Sequence, residues 1–420
     1  MPASAPPPAD SLFKHPAFIQ FWFARVASSF GFQMLSVAVG WQIYEVTGRA
    51  FDLGLIGLVQ FVPSFLLALP AGHVADQFER RRIVRYGLIV ELLAIAVLAE
   101  LSLTHAVHEA GILILIFMIG VAKAFEFPAL QSMLPGLVPA PILPRAMAAS
   151  SSAGQAATIL GPALGGLLYV AGPGAVYLLA AVLYAVAVVM MAMLRYEQAP
   201  PRREPATLRT VFAGVDFIRR RPDVLGVISL DLFAVLLGGA TALLPIFAKD
   251  ILHTGPWGMG LLRAAPAIGA LLMSIWLASH SMQRRVGITM FAAVAGFGLA
   301  TLVFAVSRTL WLSLAALFAL GAFDMVSVVI RGSLVQLDTP DDMRGRVNAV
   351  NAIFINTSNQ LGEFESGMLA AWLGAINATL IGGVGTLLVV GLWMFLFPTL
   401  RRRQRLQSEP ETARTAEATL

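Results

Sequence analysis

The amino-acid sequence predicts an all-α integral membrane protein: twelve transmembrane helices in two pseudo-symmetric six-helix bundles, with both termini cytoplasmic. Three observations carry that expectation. The 420 residues are 58% hydrophobic and only 13% charged, with a mean hydropathy of +0.77, whereas a soluble domain is about a quarter charged. Apolar runs long enough to cross a hydrocarbon core of roughly 30 Å recur along nearly the whole chain. The basic residues collect in alternate connections between those runs.

Residues 1–15 begin "MPASAPPPAD", are Pro/Ala-rich, and read as a disordered cytoplasmic segment without the basic n-region or cleavage site of a signal peptide. The first bundle, 16–195, holds apolar runs at 16–45, 52–76, 83–104, 110–135, 143–171 and 174–195. The longest polar connection, 196–222, follows. Within it Leu208, Val211, Phe212, Val215 and Ile218 share one helical face with arginines elsewhere, which predicts an amphipathic helix on the inner membrane surface that tethers the halves. The second bundle, 223–400, holds runs at 223–249, 257–280, 286–306, 309–337, 345–372 and 375–400, and 401–420 is a basic cytoplasmic tail.

Charge orients this plan. With the N-terminus inside, 22 Lys and Arg fall in inner segments and only Arg49, Lys249 and Arg308 in outer loops. The net charge of +5 is therefore topological and needs no nucleic-acid partner. There are no cysteines, which excludes disulfides, thiolate metal sites and thiol nucleophiles. The six histidines fall near span ends or in loops; His105 and His108 are three apart but lack further ligands. No P-loop, GxSxG elbow or HExxH is present, so neither an enzyme nor a bound cofactor or metal is expected.

The halves repeat. Gly120, Pro139, Arg145, Gly161 and Gly166 match Gly321, Pro340, Arg346, Gly362 and Gly367 at one constant offset of 201 residues. "GLVQFVPSFLLALPAGHVADQFERRR" (57–82) likewise parallels "GLLRAAPAIGALLMSIWLASHSMQRR" (260–285).

Two parallel six-helix repeats joined by an inner loop resemble the major facilitator superfamily. That resemblance implies a substrate site near midplane and alternating access by rocking of the halves. The loop "GHVADQFERRR" resembles the superfamily's signature: Gly72, Asp76, Arg80 and Arg81 match, while Glu79 replaces a second Gly and Gln77 an Arg. The resemblance implies a conformational latch; a purely topogenic loop accounts for the arginines but not for Asp76. Physically, Gly72 permits close helix approach and the arginines meet cytosol or headgroups. Span 5 carries Gly161, Pro162, Gly165 and Gly166, which resemble the core of the motif of proton-coupled drug exporters; tight helix packing explains the same residues. "FWFARVASSFGFQMLSVAVGWQIYEVTG", "AFEFPALQSMLPGLVP", "DDMRGRVNAV" and "GEFESG" resemble the bacterial group that contains the enterobactin exporters and related secretion permeases, over about 12–400. This implies efflux across the bacterial cytoplasmic membrane.

Charge inside a span is expensive and marks function or pairing. Lys123 and Glu126 lie three apart in span 4, and the repeat offset sets Lys123 against Asp324 in span 10. We expect proton antiport with Glu126 and Asp324 as carriers and Lys123 as counter-charge; a static ion-pair lock is the rival reading. Asp231 and Arg25 form a second candidate pair between the halves. Glu363, which replaces the motif proline in the repeat, is a candidate gate. Trp22, Trp41, Tyr44, Phe125 and Phe233 are the aromatic candidates for an amphipathic-substrate cavity, each with an interfacial or lipid-facing alternative. The expected partners are a small siderophore-like or drug-like molecule, protons and membrane lipids, acting on a monomer. An importer or facilitator of the same fold, or a non-transporting membrane scaffold or receptor, stands as the alternative.

Overall fold

The computed structural model describes residues 12–195, 208–280 and 285–406. The expected disordered segment before residue 12, the first part of the 196–222 connection and the end of the tail lie outside them. Among the described residues all regular structure is helical. In chain order the helices are α1 Pro16–Thr47, α2 Ala50–Leu66, α3 Ala68–Gln77, α4 Arg80–Leu103, α5 Glu109–Met133, α6 Leu143–Leu168, α7 Pro173–Met193 and α8 Leu208–Arg220. Then come α9 Pro222–Leu237, the single turn α10 Leu244–Ile246, α11 Gly255–Ser279, α12 Val286–Val306, α13 Leu310–Leu337, α14 Asp341–Leu373, α15 Ala375–Leu396 and α16 Pro398–Arg402. Nine helical segments among the described residues are long and apolar enough to cross a membrane. The helices α1 and α14, at 32 and 33 residues, are long as well but are not among those nine.

Two of the twelve expected runs are broken well inside their length. The run 52–76 divides at Leu67. Pro70 has no N–H to extend the ladder of α2, and it sits in the first turn of α3, where none is needed. The run 223–249 stops at Leu237; a 3-10 turn, Ala240–Leu243, leads through α10 into a π turn, Phe247–Ile251. Gly239 makes this break possible, since a Cβ there would collide with the Gly362 carbonyl oxygen.

The chain divides into two compact units, one of Met1–Ala206 with Leu244–Ala264, the other of Thr207–Leu243 with Ala265–Leu420. Leu244–Ala264, which follows the 196–222 connection in the sequence, packs with the first unit. Gly166 and Gly260 explain why, because a Cβ on Gly166 would lie 2.9 Å from the Gly260 Cα, so the two backbones touch without side chains between them.

Within the first unit α1 runs along α6 and α7, α4 along α5 and α7, and α2 along α5. Within the second, α9 runs along α14 and α15, and α12 along α13 and α15. The neighbour pattern repeats, as a duplicated sequence requires. Its second-unit core joins Val227, Leu230, Met290, Phe291, Ile330 and Val390.

The amphipathic helix forms as α8, and Val215 and Ile218 of its apolar face meet protein. Ile218 packs with Val224, Val335, Val347 and Val350, and Gly214 closely approaches the Arg346 carbonyl of α14. Part of the apolar face is thus covered by α14 and α9, with Phe212 left exposed. At the end of the described chain Arg403 makes hydrogen bonds of 2.6 and 2.8 Å to the two carboxylate oxygens of Asp338 and one of 3.2 Å to Asp223. Burial works to lower the Arg403 pKa, but the two carboxylates outweigh it and hold the guanidinium above its ordinary value.

Candidate functional site

The first unit contains a cavity of about 280 Å³. Its walls follow helical spacing: Arg25, Ser28, Phe32 and Gln33 from α1, and Lys123, Glu126, Phe127 and Gln131 from α5. Most recur at three-, four- or seven-residue spacing, with Gln33 beside Phe32 and Phe127 beside Glu126, so each helix turns one polar and aromatic stripe to the same space.

Lys123 is the centre of the charge arrangement. Its Nζ lies 3.0 Å from Glu91 Oε2 on α4 and 3.5 Å from Glu126 Oε2 on its own helix. The Phe32 and Tyr184 ring centroids lie 5.0 and 5.9 Å from the ammonium, within reach of cation–π attraction. Glu91 is fully buried and Glu126 nearly so. Gly87 on α4 faces Glu126, and Gly31 on α1 faces the Tyr184 ring, so missing side chains let four helices converge. Intact, the cluster holds two acids against one base, so a single proton makes it neutral. The expected Lys123–Glu126 pair is thus one side of a triad in which Glu91 is the nearer acid. The signal for Glu91 was present in the sequence, an acid inside an apolar run, but its partner lay on another helix.

The second unit repeats the charge count with other residues. Asp231 on α9 takes an ion pair from Arg331 on α13, so the expected Asp231–Arg25 pairing gives way to one inside the unit. Asp231 and Asp324 both line a small cavity of about 10 Å³ with Phe297, Phe323 and Ser327. Again two acids accompany one base.

The remaining candidates divide. Trp22 donates its indole N–H to the Ala149 carbonyl at 3.1 Å, fixing α1 to α6. Trp41 is buried edge-on to Tyr169 at 6.3 Å, in the core and not on the cavity wall. Tyr44 donates its hydroxyl to Asp250, with Lys249 over its ring at 5.4 Å. Phe125 is half-buried, and the cavity aromatics are instead Phe32 and Phe127. Phe233 rests on Trp393 of α15, centroids 5.2 Å apart.

In the signature loop, a Cβ on Gly72 would meet nothing within 4 Å, so this glycine does not mediate close approach. The Asp76 side chain lies outside the described residues. Arg80 donates to the Ser132 carbonyl at 3.1 Å and Arg81 to the Leu194 carbonyl at 2.5 Å. These arginines bind helix-end carbonyls of α5 and α7 rather than only facing cytosol, as unpaired C-terminal carbonyls and the helix dipole favour. Glu79, where the signature has Gly, pairs with Arg81 and Arg82 at 3.0 and 2.6 Å.

The small residues of α6 pack. A Cβ on Gly161 would lie 2.6 Å from Gln33 Cβ, and on Gly165 3.0 Å from the Met34 backbone. Pro162 is buried inside α6. In α14 the equivalent Gly362 approaches the Val235 and Leu236 carbonyls, and Ser366 touches Gly239. Glu363 and Glu365 therefore flank that packing face on opposite sides, about 80° from its middle at 100° per residue. Both are half-buried, and Glu365 accepts a hydrogen bond from Ser366 at 3.4 Å.

A family model described as "Transmembrane secretion effector" matches residues 9–418. The chain is 26% identical over 411 residues to the enterobactin exporter EntS of Citrobacter koseri, covering 96% of this chain and 97% of that one. It is 26% identical over 400 residues to the EntS of Escherichia coli O1:K1 / APEC, covering 93% and 94%. Its fold is similar to the crystal structure of a bacterial homologue of the human lysosomal transporter Spinster, with a TM-score of 0.74, 12% identity, and coverage of 96% of this chain and all of that one. It is also similar to the nucleoside transporter NupG, with a TM-score of 0.73, 13% identity, and coverage of 91% and 100%.

Proposed function

Because the chain belongs to the transmembrane secretion effector family of the major facilitator superfamily, membrane transporters rather than enzymes, we propose that it exports a small amphipathic molecule by proton antiport. The site of action is a bacterial cytoplasmic membrane, crossed twelve times with both termini inside, and the working unit is a monomer. The broken helices α2–α3 and α9–α10 count as one crossing each in this topology, and the inner excess of basic residues supports it. The cargo is siderophore-like or drug-like; the relatives named as enterobactin exporters support the first.

The observation that carries the coupling is Lys123 held between Glu91 and Glu126 on the wall of a cavity. A proton on Glu126 removes one of the ammonium's two anionic partners and leaves Lys123 to Glu91 alone. Loss of that proton restores the three-way cluster. Alternating exposure of the cavity to the two sides of the membrane then converts a proton gradient into outward movement of substrate. Asp324, beside the Asp231–Arg331 pair, is the second proton carrier. Glu363 serves as a gate charge and the 72–81 loop as a latch, its arginines tying α4 to the inner ends of α5 and α7. Arg25, Phe32 and Phe127 offer substrate a cation and two rings.

The test is efflux from proteoliposomes preloaded with enterobactin, dyes or antibiotics, with and without an imposed pH gradient. Glu126→Gln and Asp324→Asn are expected to lose gradient-driven efflux while solute exchange at equal pH persists. Wild-type gradient-driven rates in both variants would remove the coupling role. Inward movement of external solute against preloaded controls would reverse the direction assigned.

A further inference from the structure

The helix α14 turns its polar side outward, the reverse of a helix bathed in lipid. Successive residues turn 100° about a helix axis, which separates its sequence into two faces. Val347, Val350 and Phe354 lie on one and pack with Ile218 of α8 and Val224 and Ile228 of α9. Farther along the same face Gly362 meets the α9 carbonyls. The opposite face carries Asn348, Ala352, Asn356 and Asn359, and of these Ala352, Asn356 and Asn359 are exposed. The face closes toward the far end, where Ser366, Gly367 and Ala370 are buried.

Position excludes the cytosolic end as the reason for this exposure. At 1.5 Å per residue Asn359 is about 27 Å along the axis from Asp341, in the middle of a helix roughly 50 Å long. The exposed surface of α15 shows what lipid contact looks like here: Leu388, Leu392 and Phe395. Among the described residues of α14, large apolar side chains become exposed only at Trp372 and Leu373. Neither the Asn356 nor the Asn359 amide has a hydrogen-bond partner among the described residues. A carboxamide carries two donor hydrogens and a carbonyl acceptor, and hydrocarbon satisfies none of them.

We infer that the Ala352–Asn356–Asn359 face of α14 is a wetted wall of the transport route, whose amides hydrogen-bond the uncharged polar groups of the passing solute. Amide, ester and hydroxyl groups are the chemistry it fits, because a neutral carboxamide both donates and accepts. The wall complements the charged cavity of the first unit: one handles protons and charge, the other neutral hydrogen bonds. The inference rests on the transporter reading for its solute but not for its water.

The absence of native cysteine makes the test direct. Single variants Ala352→Cys, Asn356→Cys and Asn359→Cys in membrane vesicles of both orientations are exposed to an impermeant sulfonated methanethiosulfonate. Ser358→Cys on the packed face and Leu388→Cys on α15 serve as references. We expect labelling at 352, 356 and 359 at least tenfold faster than at both references from one side of the membrane. Rates no faster than at 388 would overturn the wetted wall, whether or not the protein transports anything. In the efflux assay above, Asn356→Leu combined with Asn359→Leu is expected to lower the rate at least tenfold with an unchanged melting temperature. Native rates in that double variant would overturn the solute contact. Absence of efflux from the unmodified chain would count against the transporter reading and leave the labelling result standing.

Discussion

Lys123 reaches across to Glu91 on α4, Nζ to Oε2 at 3.0 Å, more closely than to Glu126 on its own helix at 3.5 Å. The fully buried member of the triad is therefore the one supplied by another helix, and α4 and α5 are joined by charge as well as by packing. Removing Lys123 leaves a buried carboxylate without its cation, which typically costs about 3–5 kcal/mol. Lys123→Ala is expected to lower the melting temperature in detergent sharply. Lys123→Met with both Glu91→Gln and Glu126→Gln is expected to recover most of the loss, because no ion of the triad is then left unpaired. A Lys123→Ala variant as stable as the native chain would show that the triad does not hold these helices together.

The Asp231–Arg331 pair gives a second cycle. Both side chains are buried, so Asp231→Ala and Arg331→Ala should each destabilise by about 3–5 kcal/mol while the double variant is well short of their sum. Additive losses, read from chemical unfolding of the four proteins, would contradict a direct coupling.

Small residues of α6 should be intolerant in proportion to what their missing side chains would meet. Gly165→Ala drives a methyl against the Met34 backbone at 3.0 Å, which cannot rotate away, and should destabilise by about 1–3 kcal/mol. Gly154→Ala meets nothing within 4 Å and should be neutral or stabilising, since alanine is the better helix former. Equal behaviour of the two variants would remove the packing account.

Arg403 ties the last described turn of chain to the end of α13 and the start of α9. Its pKa is raised by Asp338 and Asp223, so this contribution is present below the unfolded-state value and is lost only as pH rises through the still higher folded-state value. It is therefore in force at every working pH. Arg403→Lys cannot reproduce the two-pronged contact with Asp338 and should lose about 1–2 kcal/mol, and Arg403→Ala more. Truncation before residue 403 also removes the backbone hydrogen bonds that Val286 and Gly287 make to Gln404 and Arg403, so it should cost at least as much as Arg403→Ala in thermal unfolding; a silent truncation would refute the tie.

Much of this was legible from local pattern. The apolar runs, the alternation of basic loops and the offset of 201 residues anticipated helices in two similar sets, and the amphipathic spacing of 208–218 anticipated α8. The stripes beginning at Arg25 and Lys123 were equally available, since their three- and four-residue spacing is a property of the helix alone. What pattern could not supply was the partner of each stripe. The amphipathic face of α8 reads the same against lipid headgroups or against Val347 and Val350 of α14. Asp231 offers a carboxylate to any base in reach, and only packing selects Arg331 over Arg25. Trp41 and Phe32 are both aromatics of α1, yet one is core and the other lines the cavity.

The division follows from the range of the forces involved. Insertion into a membrane depends on hydropathy summed over about 20 consecutive residues, and orientation on charges beside each run. Both are contiguous in the chain, so the order of residues alone specifies helices and their likeness in pairs. Ion pairs and backbone contacts act over a few ångströms between residues far apart in the chain. Which acid holds Lys123, which glycines let Leu244–Ala264 join the first unit, and which face of α14 stays open are settled only when the helices pack.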